Sequence, residues 1–275
     1  KASANRAGQR HERGERVALK VIHAHLAARP GARERFAREA TLGSRVKHPR
    51  VVRTLGAGRA DVDGRPVDYV VLEYVRGRDL AALKRSQGPL SEALLREVAA
   101  QAADGLAAIH DAGIVHRDIK PENLLVTESH ELRIMDLGVA RPLHAETVAL
   151  TSEGQFVGSL AYAAPEQLAG EDATPRSDLY ALGAALRDLL RAEGETGPSN
   201  LATWLSPSRS KPDHALTRVS PFFAGVIGCL LERDPVLVRV AREGRLRLLR
   251  PGRRCGWAPT HDAPRVGEAP RGLRR

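Results

Sequence analysis

Cysteine is almost missing from this chain: two in 275 residues, Cys229 and Cys255, the first inside an apolar stretch. A disulfide framework and a cysteine-built metal site are both excluded, and a reducing, cytoplasmic setting is the expectation. Aromatic residues reach only 4%, yet the hydrophobic share is 42% and the charged share 28%, so the sequence reads as a soluble globular protein with an aliphatic core. No uninterrupted apolar run approaches the ~20 residues a spanning helix requires, so no membrane span is expected. Residue 1 is lysine and no charged-then-apolar leader follows it, so no signal peptide is read and the chain reads as a fragment. Lysine is scarce too, six against 37 arginines, and each lysine carries correspondingly more information.

The net charge of +10 suggests a polyanionic partner until its distribution is read. Residues 236–275 contribute +8 and residues 1–16 contribute +3, which leaves the body of the chain at −1. The body has no need of a nucleic-acid partner, and the basic tail argues against one, since it lacks interleaved aromatics apart from Trp257 and shows no helical face.

Strands are predicted first and helices afterwards. Residues 16–22 alternate apolar and β-branched side chains, which predicts a strand with Ala18, Lys20 and Ile22 on one face. Phe36, Ala40, Gly43 and Val46 recur at helical steps through a charged segment. Two further strands are predicted at 51–55 and 68–75, around a turn at 61–64. Ser91 is placed to cap a long helix with a stripe of Leu94, Leu95, Val98, Ala102, Leu106 and Ile109, and a buried helix is predicted from Ser177 to Leu190. This order predicts an α+β fold in two lobes, small and β-rich first, larger and helical second. Residues 191–218 read as a loop or insertion, and 236–275 as a patternless tail, disordered or divergent.

The chemistry concentrates in His116-Arg117-Asp118-Ile119-Lys120-Pro121-Glu122-Asn123, with Asp136-Leu137-Gly138 following 18 residues after Asp118. A carboxylate, a cation and a neutral oxygen ligand in one short loop suit phosphoryl transfer. The carboxylate can orient a hydroxyl and accept its proton, the lysine can neutralise the moving phosphoryl group, and Asn with a second Asp can hold divalent cations.

Here the sequence resembles the eukaryotic-like (Hanks-type) bacterial serine/threonine protein kinase family. The resemblance rests on ordered motifs over about residues 12–235. These are Val17-Ala18-Leu19-Lys20, Glu39 nineteen residues later, His48-Pro49, Glu73-Tyr74-Val75, the 116–123 loop, Asp136-Leu137-Gly138, Gly158-Ser159, Ala164-Pro165-Glu166, and Ser177-Asp178-Leu179-Tyr180 with Gly183. It implies a two-lobed kinase fold, with residues 1–75 as the N-lobe, 76–235 as the C-lobe and 236–275 as an arginine-rich tail. It further implies ATP with Mg²⁺, or Mn²⁺, as cofactors. The partners are a protein substrate offering a Ser or Thr hydroxyl, and the chain itself through autophosphorylation.

By the same resemblance Asp118 is the catalytic base and Lys120 the phosphoryl-contacting cation. Lys20 binds phosphates and pairs with Glu39. The backbone at Glu73 to Val75 holds adenine between Ala18 and Leu125, while Asn123 and Asp136 bind metal. His116, Arg117, Gly138, Ser159, Glu166 and Asp178 are structural or regulatory, and Thr151 is a candidate phosphosite that Arg117 could read. Taken alone, Lys20 would be a strand lysine reaching water, Glu39 a solvated helix residue, His116 a tempting general base and Asp178 a helix N-cap.

Three departures temper the reading. Counting back from Lys20 puts the first glycines of the family's phosphate-covering loop before residue 1, and residues 1–14 show no Gly-x-Gly-x-x-Gly, so the first strand and that loop are expected to be missing or truncated. Gly43 stands where a larger apolar residue usually completes a regulatory stack, which predicts a loosely docked helix. The family pattern stops after Pro235 without the Arg-Pro that pairs with Glu166, as a frameshift would produce. The alternative is therefore a catalytically impaired or truncated kinase-like scaffold.

Overall fold

The computed structural model describes residues 3–9, 16–22, 31–137, 161–192, 214–231, 238–241 and 245–248. The first lobe is an antiparallel sheet with one helix against it. Strands β1 (Ser3–Gln9), β2 (Arg16–Ile22), β3 (Thr54–Val62) and β4 (Arg65–Glu73) run in the order β1-β2-β4-β3. The predicted strand at 16–22 keeps its bounds, and the expectation of a missing or truncated first strand is corrected: β1 pairs antiparallel with β2 along its whole length, from Ser3 opposite Ile22 to Gln9 opposite Arg16.

The β3–β4 hairpin turns on two residues, Asp63 (φ 55°) and Gly64 (φ 74°), the paired positive angles that match the right-handed twist of the flanking strands. Asp61 reinforces the turn by accepting the Gly64 N–H at 2.8 Å. So tight a loop extends pairing to Val62 and Arg65, which moves β4 to an earlier start than predicted. The expected strand at 51–55 begins only at Thr54, because Val51 leaves this sheet for a parallel bridge to Ile134 in the other lobe.

Helix α1 (Ala32–Gly43) lays Phe36 and Ala40 on the sheet, where they bury with Ile22, Val70 and Leu72, and Ala18 packs alongside. One face of β2 thus carries an apolar, a cationic and an apolar residue toward α1, which draws the Lys20 side chain inward until it is 12% exposed.

Beyond β4 the chain passes through 74–76 into a short strand, β5 (Gly77–Asp79), and into α2 (Leu80–Gln87), capped by Asp79 through the Ala82 N–H at 2.7 Å. Helix α3 (Glu92–Asp111) starts at Ser91, whose hydroxyl accepts the Leu94 N–H. Its stripe Leu95, Val98, Ala102, Leu106 and Ile109 is buried against Leu182, Leu186 and Leu189 of α5 (Pro175–Leu189) and Ile227 and Leu230 of α6 (Pro221–Leu230), with the four-residue α4 (Pro165–Leu168) before them. Each such aliphatic side chain contributes roughly 1.5–3 kcal/mol by leaving water. Strands β6 (Leu124–Thr127) and β7 (Leu132–Ile134) complete a three-stranded sheet with β5.

Where the sequence reading has an unpatterned tail, β8 (Val238–Ala241) and β9 (Arg245–Leu248) pair as an antiparallel ribbon near α3. The reason is a short period of two: Val238 and Val240 register with Leu248 and Leu246 on one face, and Arg239 with Arg247 on the other. Among the described residues no helix is long and apolar enough to cross a membrane.

Candidate active site

The loop 116–123 is built from backbone conformations that few residues adopt freely. Arg117 has φ 68° and Asp136 φ 58°, both left-handed and both held by their surroundings. Asp178 supplies much of that hold. It is 1% exposed on the first turns of α5, and it accepts three hydrogen bonds: from His116 N–H and His110 Nε2 on Oδ2, and from Arg117 N–H on Oδ1, each at 2.8 Å. The N-cap suggested for Asp178 falls instead to Thr174, whose hydroxyl accepts the Arg176 N–H, with Pro175 opening the helix. Asp178 faces the loop because it lies one turn inside.

His116 is completely buried, which rules out a solvent-facing base. Its Nε2 donates to Met135 O at 3.0 Å and its Nδ1 accepts the Asp118 N–H at 3.3 Å, the pattern of a neutral imidazole. Burial pushes this group below the ordinary histidine value of 6.5, against the pull of Asp178, Asp118 and Asp136. The unfolded chain therefore binds the proton more readily, so the stability contribution is complete above about pH 6.5 and fades as the pH falls below it. Thermal denaturation from about pH 7.5 to about pH 5.5 is expected to show a falling Tm for the wild type and a flatter profile for His116→Asn. Parallel slopes would contradict this account.

On the cleft side, Asp118 Oδ2 lies 2.9 Å from Lys120 Nζ and accepts the Asn123 Nδ2–H at 3.1 Å, while Asp118 O accepts the same amide at 2.7 Å. The Asn123 nitrogen is committed to Asp118, and this turns its amide oxygen toward any cation. A single 3-10 turn, Pro121–Asn123, sets these spacings. Asn123 O in turn accepts the Met135 N–H at 3.0 Å, so the loop and the strand end bearing Asp136 are stitched together by backbone. Across the cleft Lys20 Nζ lies 3.2 Å from Asp136 Oδ1. That oxygen is buried and makes no hydrogen bond among the described residues, which suits a cation ligand. Among the described residues no group of three or more His, Cys, Asp or Glu forms a cage. Two oxygen ligands facing an open cleft fit a hard divalent cation that keeps water and phosphate in its shell.

The other candidates are spread more widely. Ala18 and Leu125 are half-buried on β2 and β6, and Val75 is half-buried in the connecting segment. The Glu73 carboxylate reaches Arg53 Nε at 3.2 Å and Arg133 at 3.5 Å, linking the two lobes at that segment. Exposed Tyr74 carries the Arg16 guanidinium 4.6 Å above its ring. Glu39 falls in α1, with its side chain outside the described residues, as are Gly138, Thr151 and Ser159 altogether. Glu166 accepts the Ser177 hydroxyl at 2.6 Å, a contact inside the second lobe and away from the cleft residues.

Two contributors escaped the sequence reading. His110 holds Asp178 from 68 residues away, and no local pattern marks it beyond the end of an apolar stripe. Tyr162, Lys84 and Asp188 form a second knot: Tyr162 donates to Asp188 Oδ2 at 3.2 Å, and Lys84 Nζ reaches Asp188 O at 2.7 Å and Oδ1 at 3.1 Å. Burial and Asp188 raise the Tyr162 hydroxyl far above its ordinary range, so it stays a donor.

Comparison with known families decides what this geometry belongs to: the protein kinase domain model matches residues 2–200. The chain belongs to the protein kinase domain family. Among curated relatives, a probable serine/threonine-protein kinase of Corynebacterium efficiens is 35% identical over 212 residues, which is 76% of this chain and 32% of that protein. The serine/threonine-protein kinase PknB of Mycolicibacterium smegmatis is 34% identical over 255 residues, 91% of this chain and 40% of that protein. The chain therefore spans well under half the length of these relatives. A crystal structure of the Mycobacterium tuberculosis PknI kinase domain, a double mutant, superimposes with a TM-score of 0.64 at 23% identity, covering 85% of this chain and 84% of that one. This kinase-domain chain thus shares a two-lobed α+β fold with solved relatives, and its family uses ATP and a divalent metal.

Proposed function

We propose that the chain is a serine/threonine protein kinase domain that transfers the γ-phosphoryl group of ATP, with Mg²⁺ or Mn²⁺, to Ser or Thr hydroxyls of proteins, itself included. The observation that carries this is the convergence of the Lys20–Asp136 pair with the Asp118–Lys120–Asn123 cluster through the Met135 to Asn123 backbone bond. Residues 1–75 serve as the N-lobe and 76–235 as the C-lobe, with the cleft between them; residues 236–275 lie outside the catalytic unit.

Bound Mg-ATP supplies the phosphoryl group and the charge that stabilises its flight. Lys20 binds the α- and β-phosphates, with Glu39 as its partner on α1, and Asp136 and Asn123 hold the metal by oxygen. The Asp118 carboxylate, oriented by Lys120 and Asn123, aligns the acceptor hydroxyl and takes its proton, and Lys120 neutralises charge on the transferring group. The backbone of Glu73 to Val75 holds adenine, between Ala18 and Leu125. Ser159 belongs to the loop that reads the acceptor hydroxyl, Gly138 and Glu166 are structural or regulatory, and a phosphate on Thr151 would be read by Arg117. The scaffold alternative is the weaker one: the polar groups phosphoryl transfer needs are all in the chain, and the curated relatives are named as serine/threonine-protein kinases. A cytoplasmic location accords with the near absence of cysteine.

The test is transfer of label from γ-labelled ATP to the chain and to a generic basic protein, with phosphoamino-acid analysis. Phosphoserine or phosphothreonine is expected; phosphotyrosine alone, or no label, would overturn the reading. Lys20→Met is expected to raise the KM for ATP by about tenfold or more, since it removes a phosphate-binding charge worth at least ~1.4 kcal/mol.

A further inference from the structure

We propose that Arg16 and Tyr74 form a positioning pair that holds the adenine-binding backbone of Glu73 to Val75 in place; this rests on the nucleotide-binding role given above. With a period of two, Arg16 shares one face of β2 with Ala18 and Lys20. Along that face stand a residue beside the connecting segment, a residue assigned to the base and a residue assigned to the phosphates, each about 7 Å from the next.

Arg16 meets the segment through Tyr74. Val17 opposite Glu73 is the last rung of the β2–β4 ladder, and the next residue outward on each strand is Arg16 on one and Tyr74 on the other. The guanidinium carbon lies 4.6 Å from the centre of the Tyr74 ring, well inside the reach of a cation–π contact. Among the described residues Arg16 has no carboxylate partner, so the ring is what it rests on.

The segment needs such a hold. Strand β4 ends at Glu73 and β5 begins at Gly77, so residues 74–76 belong to neither strand. A backbone left open to a base cannot be locked by a sheet neighbour on the same side, and side chains must fix it. Glu73 is anchored by Arg53 at 3.2 Å and by Arg133 at 3.5 Å. Arg76 pairs with Glu128 at 3.0 Å, but the two side chains are 73% and 74% exposed, and a pair of that kind constrains little. Tyr74 stands between these points. Exposure alternates from Glu73 to Arg76, half-buried and exposed in turn, as in an extended segment whose Tyr74 side chain projects outward. A ring pinned from the outside fixes the two peptide planes that meet at its Cα, and those planes carry the groups given to adenine.

A comparison of base with phosphate affinity tests the pair. Dissociation constants for adenosine, Mg-ADP and Mg-tripolyphosphate, and the nucleotide-free Tm, are measured for wild type, Arg16→Gln, Tyr74→Leu and the double variant. Either single change is expected to weaken adenosine and Mg-ADP about two- to fivefold, the scale of an exposed cation–π contact, and to leave tripolyphosphate unchanged. In the Tyr74→Leu background, Arg16→Gln is expected to add no further loss. Tyr74→Trp, which offers a cation the better ring, is expected to bind adenosine at least as tightly as wild type. Equal weakening of adenosine and tripolyphosphate would overturn the proposal, because Arg16 would then act as a charge on the phosphates. Additive effects of the two changes would overturn it as well, as would a lower Tm with unchanged adenosine constants. A wild type that binds adenosine and transfers no phosphate defeats the kinase reading while the binding constants still decide the pair; a wild type that binds no adenosine overturns both.

Discussion

Asp118→Asn is expected to fold like the wild type and to lose phosphoryl transfer by about 10²- to 10⁴-fold in kcat, the range a positioned general base supplies. The substitution keeps the shape of the side chain, and the Asn123 amide can still reach the backbone oxygen of residue 118 at its present 2.7 Å. What goes is the charge. Oδ2 now faces the Lys120 ammonium at 2.9 Å, and a neutral amide there can neither take the acceptor's proton nor balance that cation. The KM for ATP is expected to change little, because the substitution leaves the phosphate-binding charge of Lys20 and its pairing with Asp136 in place. Steady-state kinetics with an unchanged thermal midpoint check this; a kcat within threefold of wild type would remove Asp118 from the role of base.

The second large effect is expected at Asp178→Ala, and it falls on stability as well as turnover. Three donors, His116 N–H, Arg117 N–H and His110 Nε2, lose their acceptor at once inside the second lobe. A buried orphaned donor costs ~1–3 kcal/mol. Three together reach several kcal/mol, a large part of the 5–15 kcal/mol typical of a domain. Urea denaturation is expected to show a lower midpoint at unchanged slope. Any variant that remains folded is expected to have lost kcat, because Arg117 has no other hold on its left-handed φ among the described hydrogen bonds. Asp178→Asn, which keeps one acceptor oxygen, is expected to fall between. An alanine variant as stable as wild type would show that the loop holds its own shape.

Much of this was readable from residues close together in sequence. The β2 strand was legible because apolar alternation has sharp edges there, and α3 because Ser91 and an apolar stripe from Leu94 to Ile109 speak with one period. The 116–123 loop identified itself by residue types. Features that depend on distant partners were not legible. Nothing near Val51 signals that it bridges Ile134, nothing near His110 points to Asp178, and nothing near Gly43 shows that the Thr54 hydroxyl crowds it. The β8–β9 ribbon was missed for a different reason: four-residue alternations rich in arginine are too short to stand out from a basic tail.

The bridge at Val51 also has a mechanical meaning. Val52 N–H donates to Ile134 O at 2.8 Å and Ile134 N–H donates to Arg50 O at 2.7 Å, so two backbone hydrogen bonds splice one lobe to the other. A splice of this kind acts as a fulcrum. The lobes can rock about it like a jaw, but they cannot pull straight apart without breaking both hydrogen bonds, so the cleft opens by rotation and not by separation.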